Sequence, residues 1–279
     1  MRVGTWAVCV VAVAALAGRG YGDVLYNNDA ATNAMAMASR PDSGSGEIEA
    51  ADDFILATSA TVTGATFTGL IVQTGQSAPV IGSVNLEFYR VFPNDSDTGR
   101  TAQVPTRTNS PADDALAERG TDSAAITVST STLNASLTAL NSVLNGIHPS
   151  PNQTTGGEGA VTGAEVQFMA TLNTAVTLGA DHYFFVPQVQ VTGGEFYWLS
   201  GSRPISGSGT TPITPDLQAW IRNTGLDPDW VRVGTDVVGG STPPTFNGAF
   251  SLTGTVPEPG TAGVLGAGIL WGLWRRRRG

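Results

Sequence analysis

Three groups of residues in this chain have types and spacings that could do chemistry. Carboxylates come in adjacent pairs, Asp52-Asp53 and Asp113-Asp114. A shared two-carboxylate mechanism needs both acids aimed at one bond, whereas neighbours on a strand point to opposite faces, so these pairs read as solvated turns or strand starts. Asn94-Asp95-Ser96-Asp97-Thr98-Gly99 spaces oxygen donors ahead of a glycine, like half a calcium loop. The later bidentate acid is missing, so Asp95 and Asp97 are weak calcium candidates against an ordinary turn, and no other cofactor is expected. The two histidines, His148 and His182, are far apart, and His182 beside Asp181 sits at a loop-to-strand junction ahead of an aromatic run. No HExxH, GxSxG or phosphate-binding glycine loop occurs. No catalytic residue is therefore expected, and a glycan hydrolase using Asp or Glu ranks behind every binding role.

Aromatic rings could also work by stacking on sugar faces. Tyr197, Trp198, Trp220 and Trp230 are the candidates for a lectin-like carbohydrate platform, and the alternative is that they fill a core. Thr61, Thr63, Thr66 and Thr68 form a short Thr-x-Thr pattern, but it does not repeat as an ice-binding array would.

The elements that must position these residues are mostly strands. SVNLEFYRVF alternates with period two, as do EVQFMATL and FSLTGT, and HYFFVPQVQV and EFYWLS add β-prone aromatic runs. TVTGATFTGLIV reads as two strand pieces around Gly64 or one bulged strand. Short strands between Gly, Pro, Asn and Asp turns predict an all-β fold, an antiparallel β-sandwich or jelly roll with a few short helices. One helix is expected from the cap at Ser110-Pro111, one from the stripe Leu133, Leu137, Leu140, Leu144, and one starting at Thr214-Pro215-Asp216. Residues 99–163 lack aromatics and read as a low-complexity insertion, and the segment from Asp23 to Glu47 reads as polar loop.

Composition then limits where such a body works. The 279-residue chain has a formal net charge of −9, and all 14 of its basic residues are arginine. Six of those arginines (Arg2, Arg19, Arg275, Arg276, Arg277 and Arg278) lie in the two end segments, so the body between them carries eight against 22 acids, a net of −14. That excludes a nucleic-acid role, which needs a basic footprint. Residues 1–22 read as a secretory signal peptide: Arg2, an apolar run from Trp6 to Ala17, then small residues. Cys9, the only cysteine, lies within it, so the body from Asp23 to Thr255 has no thiol and depends on its hydrophobic core. After Thr255, Val256-Pro257-Glu258-Pro259 forms a stiff spacer, residues 260–274 are uncharged and largely apolar, and four arginines follow. Fifteen residues of helix reach roughly 22 Å, short of a ~30 Å hydrocarbon core. Trp271 and Trp274 suit the interface, and the basic cluster Arg275, Arg276, Arg277 and Arg278 would stay on the cytoplasmic side of a transmembrane helix.

This order of VPEP motif, short apolar helix and arginine cluster resembles the PEP-CTERM sorting signal. Tails of this type also carry an ice-binding label, which attaches to the tail and to no activity. The resemblance implies export from a Gram-negative bacterium that makes exopolysaccharide, with the general secretion machinery and exosortase, a membrane protease-transpeptidase, as partners. It implies passage through the inner membrane to the cell surface or biofilm matrix, and contact with exopolysaccharide. EAADDFIL, ADHYFFVPQVQV, FYWLSGSRPI and AFSLTGTVPEP resemble β-sandwich bodies found ahead of such tails. The expected function is a non-enzymatic structural or adhesive matrix component, with a lectin-like module as the alternative.

Overall fold

The computed structural model describes residues 22–147, 154–203 and 217–257. Residues 1–21, expected to be a signal peptide, His148, Thr214 to Asp216, and the chain from Glu258 onward lie outside the described residues. With that last segment go Pro259, the 260–274 stretch expected to be a transmembrane helix, and the basic cluster Arg275, Arg276, Arg277 and Arg278.

The described chain is all-β, in two sheets. Its strands are β1 (Asp23–Asn28), β2 (Ala31–Ala38), β3 (Ile48–Leu56), β4 (Ala60–Gln73), β5 (Val80–Arg90), β6 (Ala117–Gly120) and β7 (Ile126–Ala139). They continue with β8 (Ser142–Val143), β9 (Val161–Leu178), β10 (Asp181–Thr192), β11 (Gly194–Gly201), β12 (Trp220–Asn223), β13 (Val231–Arg232) and β14 (Phe250–Thr255).

The first sheet is organised on β4. One edge of β4 pairs along its length with β9, which pairs onward with β7. The other edge is shared: β14 takes Thr61 to Phe67 and β11 takes Gly69 to Gln73. Gly69 sits at the handover, where a Cβ would lie 2.3 Å from the Phe196 ring, so only glycine fits. The threonine-rich segment is thus one strand, with a register shift between Val62 and Gly64. β1 pairs with β14 beyond this fork and β2 with β11, while β8 lies parallel to β2. The second sheet runs β13-β12-β3-β10-β5-β6, antiparallel throughout.

The main core fills the space between the sheets. Phe67 and Phe168, opposite one another on β4 and β9, stack at 4.9 Å. Phe185 of β10 stacks across the gap on Phe250 of β14 at 5.0 Å, and Trp198 closes edge-on against both. A second buried cluster lies on the opposite face of the second sheet. There Ala51, Tyr89, Phe184, Val186 and Trp220 pack beneath Val91, Ala112, Leu217 and Trp230.

Several expectations need correction. The leucine stripe is not a helix: Leu133 and Leu137 lie in β7, while Leu133 and Leu140 are 53% and 67% exposed. Its β-branched and hydroxyl residues suit a strand, and pairing with β9 outweighs the helical spacing of the leucines. Ser110 caps no helix; its hydroxyl donates locally to backbone carbonyls, and the strand that follows is β6. Trp220 to Asn223, expected in a helix, form β12. The only helical element among the described residues is a π turn, Val233–Val238. Residues 99–163 contribute β6, β7, β8 and the start of β9, so they are sheet rather than insertion, and the supposed loop from Asp23 to Glu47 contains β1 and β2.

Phe250 touches rings from both sheets. Phe250→Ala should therefore cost about 3–5 kcal/mol, read from the urea midpoint; a loss below about 1 kcal/mol would mean that the ring does not bridge the sheets.

Candidate functional site

Strand alternation decides which polar residues of the second sheet meet. On β3, Ile48, Ala50 and Phe54 face the main core, so Glu49, Ala51 and Asp53 face the second cluster. Glu87 and Tyr89 of β5, Arg222 of β12 and His182 of β10 share that covered face, and all are buried.

Arg222 grips Glu49 with two nitrogens: Nε bonds Oε2, and Nη2 lies 3.0 Å from Oε1. The same Nη2 donates to the Tyr89 hydroxyl at 2.9 Å, and the guanidinium sits 4.3 Å over the Trp230 ring. Tyr89 Oη lies 2.7 Å from Glu49 Oε1 and 2.7 Å from Glu87 Oε2. Tyr89 has one proton for two carboxyls, so one of them must bring its own. Glu87 is that one: burial, with Glu49's charge adding to it, pushes the Glu87 carboxyl up to about 9. Glu49 is bonded instead to the Arg222 guanidinium. Burial and then the two carboxyls likewise hold the Tyr89 hydroxyl far above its usual range. The chain of bonds runs from neutral Glu87 to Tyr89 to Glu49, closed by Arg222.

Asp53 lies beside this group. Its Oδ2 is 2.5 Å from His182 Nε2, and its Oδ1 accepts the Leu217 N–H at 2.9 Å. The His182 ring thus pairs with Asp53 across the β10–β3 ladder, while its backbone N–H donates to Asp181 Oδ1 at 2.9 Å. The expectation that the two acids diverge holds, since Asp52 lies on the main-core side; the expectation that they are solvated does not, because both are buried.

Ion pairs also hold the cover in place. Asp229 accepts Arg100 through two nitrogens at 2.8 and 2.9 Å and the Gln103 N–H at 2.7 Å, while Asp113 bonds Arg107. Asp95 is held by Arg90, with Nε to Oδ2 at 2.6 Å, and the Arg90 hydrogen bond lowers the Asp95 carboxyl below its ordinary value. Asp97 turns its Oδ1 to the Gly99 N–H at 2.8 Å. The Asp95/Asp97 loop is a turn stitched by arginine and backbone. Among the described residues, no group of three or more metal-ligating side chains occurs.

The proposed sugar-stacking rings are core. Trp198, Trp220 and Trp230 are 0%, 2% and 1% exposed and Tyr197 is 6%, so the platform reading is corrected: sheet pairing and loop cover take up the faces a sugar would need. Trp198 Nε1 donates to Ala249 O at 3.0 Å and Trp230 Nε1 to Ala112 O at 3.1 Å, tying both rings to neighbouring backbone. A cleft of about 280 Å³ beside the network, lined by Arg40, Glu47, Asn145, Asn223 and Thr224, offers hydrogen bonds but no aromatic wall.

Glu49, Glu87, Tyr89 and Arg222 were not singled out by sequence reasoning. Glu87 and Tyr89 alternate with Leu86 and Phe88 as a wet face would, and only the distant loops that cover them change that reading. No family model, curated protein or solved structure matches the chain. Among the described residues, no helix is long and apolar enough to cross a membrane.

Proton bookkeeping makes the network testable. Glu87 keeps its proton when folded, to about 9, and sheds it near 4.5 when unfolded. Its stabilisation is complete below about 4.5 and is lost as pH climbs toward about 9, by at most about 1.4 kcal/mol per pH unit. Glu87→Gln, which retains a donor for Tyr89, should flatten the fall in urea-unfolding stability between about pH 6 and about pH 8. An unchanged slope would show that Glu87 is ionised in the fold.

Proposed function

We propose that this protein is exported across the inner membrane, sorted by exosortase through its VPEP tail, and placed at the cell surface or in the exopolysaccharide matrix as a structural or adhesive component. The observation that carries the reading is the junction between body and tail. β14 ends at Thr255, and Val256 and Pro257, the first half of the motif, are exposed immediately beyond it. A processing enzyme could reach the motif without opening a sheet. The other junction lies alongside, because Asp23, the first residue of β1, pairs with Gly254. Removing a leader up to Gly22 and a tail from Glu258 would leave every described strand and both cores intact.

A non-enzymatic role fits the buried carboxyls, which are bonded to one another and to arginine beneath the loop cover rather than set around an open substrate site. This reading needs no cofactor. The mostly antiparallel, sandwich-like body is a thiol-free, acidic module suited to life outside the cell. The lectin alternative loses the rings on which it stood.

Intact mass and membrane fractionation from the native host, beside a Glu258→Ala variant, test this. The expected wild-type mass lacks both end segments, while the variant keeps its tail and remains in the inner membrane. A wild-type protein that keeps Arg275, Arg276, Arg277 and Arg278 in the inner membrane would reduce the tail to an anchor and remove the case for a matrix role.

A further inference from the structure

Every open sheet offers edges, and natural proteins guard them with brevity, charge, proline or bulges. Among the described residues, four edges follow that rule. β13 and β8 have two residues each, β6 has four with Glu118 and Arg119 among them, and β1 has six and begins with Asp23. β7 does not follow it. It is 14 residues long, pairs with β9 on one side only among the described residues, and contains no charge and no proline. No Asp, Glu, Arg or Lys occurs between Asp122 and Glu158, in a chain whose net charge is −9.

Two features narrow the open stretch. Register shifts after Thr132 and Asn134 disturb the second half of β7, and near its end the Leu140 N–H bonds Asn33 O of β2 at 2.7 Å. The regular run is Ile126 to Thr132, in unbroken register with Leu172 to Val166 of β9. It is about 23 Å of strand, and from Ser129 onward its residues are exposed on both faces.

We infer that this edge pairs, antiparallel, with the same edge of a second copy of the chain, about a two-fold axis through Ser129. A two-fold perpendicular to the sheet keeps each side chain on its own face, so paired residues must share parity, and Ser129 is the middle of the regular run. Ser129 then faces Ser129 of the partner subunit. Thr127 faces Ser131, Val128 faces Thr130, and Ile126 faces Thr132, each from the opposite copy. These are hydroxyl and β-branched pairs that antiparallel ladders favour, and no pair sets like charges together. Elsewhere the acidic surface repels a second copy, whereas the neutral strip does not. The inference stands apart from the sorting reading, because it concerns the purified protein and not its processing.

The test is sedimentation of the purified full chain in detergent, for wild type, Ser129→Lys, Ser129→Glu and an equimolar mixture of the two variants. Wild type should be dimeric, each variant alone at least tenfold weaker in association because its charge meets itself, and the mixture dimeric again because lysine then faces glutamate. Amide exchange over residues 126–132 should slow as wild-type concentration rises. A monomeric wild type overturns the inference, as does a dimer indifferent to both substitutions. If a variant misfolds, the exchange measurement on wild type decides: concentration-independent exchange at 126–132 overturns it, and concentration-dependent protection supports it.

Discussion

Around Glu49, Glu87, Tyr89 and Arg222 the second sheet has no wet face, and much of the molecule is arranged around that constraint. An antiparallel sheet ordinarily leaves one side in water, where alternating polar residues need no partner. Here the segments after β5 and around β12 fold over that side, so Glu49, Glu87, Tyr89 and Arg222 are enclosed. A buried charge is tolerable only when it is paired and fully hydrogen-bonded. Arg222 lies opposite Glu49 in the β12–β3 ladder, and Tyr89 bridges from β5, so one bonded group ties three strands of the sheet. A slip of β12 by one residue would turn Arg222 into the main core and leave Glu49 uncompensated. The network therefore weighs against other registers, whatever its net contribution to stability.

How much of this was legible in the sequence differs by element. SVNLEFYRVF, EVQFMATL and FSLTGT announce their strands because their alternation is set locally, and they lie in β5, β9 and β14. The LNASL stretch misleads because Leu133 and Leu137 also fit a helix; what decides is β9, some thirty residues away. The site was less legible than the fold. Asp53 and Glu49 look like surface acids until Leu217, Trp230 and Arg222 arrive from the far end of the chain, and no local pattern records that approach. The four aromatic candidates posed one question, core or platform, and composition could not answer it, since a sandwich core and a sugar platform draw on the same rings.

Charge is distributed unevenly to match. Most described arginines are spent in pairs: Arg222 with Glu49, Arg100 with Asp229, Arg107 with Asp113, Arg90 with Asp95, Arg40 with Glu195 and Arg232 with Asp236. The pairs of Arg100 and Arg107 hold the loops over the second sheet, and Arg222 adds hydrogen bonds to the Asp113 and Pro228 carbonyls. The first sheet, which needs no such cover, carries the uncharged ribbon of β7.

That asymmetry limits what association through β7 could build. A contact in which one patch meets itself about a two-fold axis is closed: once both edges are used, neither copy offers another edge of the same kind. Among the described residues the remaining edges are short or charged, so growth into fibres by edge pairing finds no second long strand there to recruit. A closed pair would still carry two copies of the exposed Val256–Pro257 junction, one from each β14. If both junctions were joined to the same support, the second attachment would be intramolecular, and retention would rise by effective concentration with no stronger individual contact.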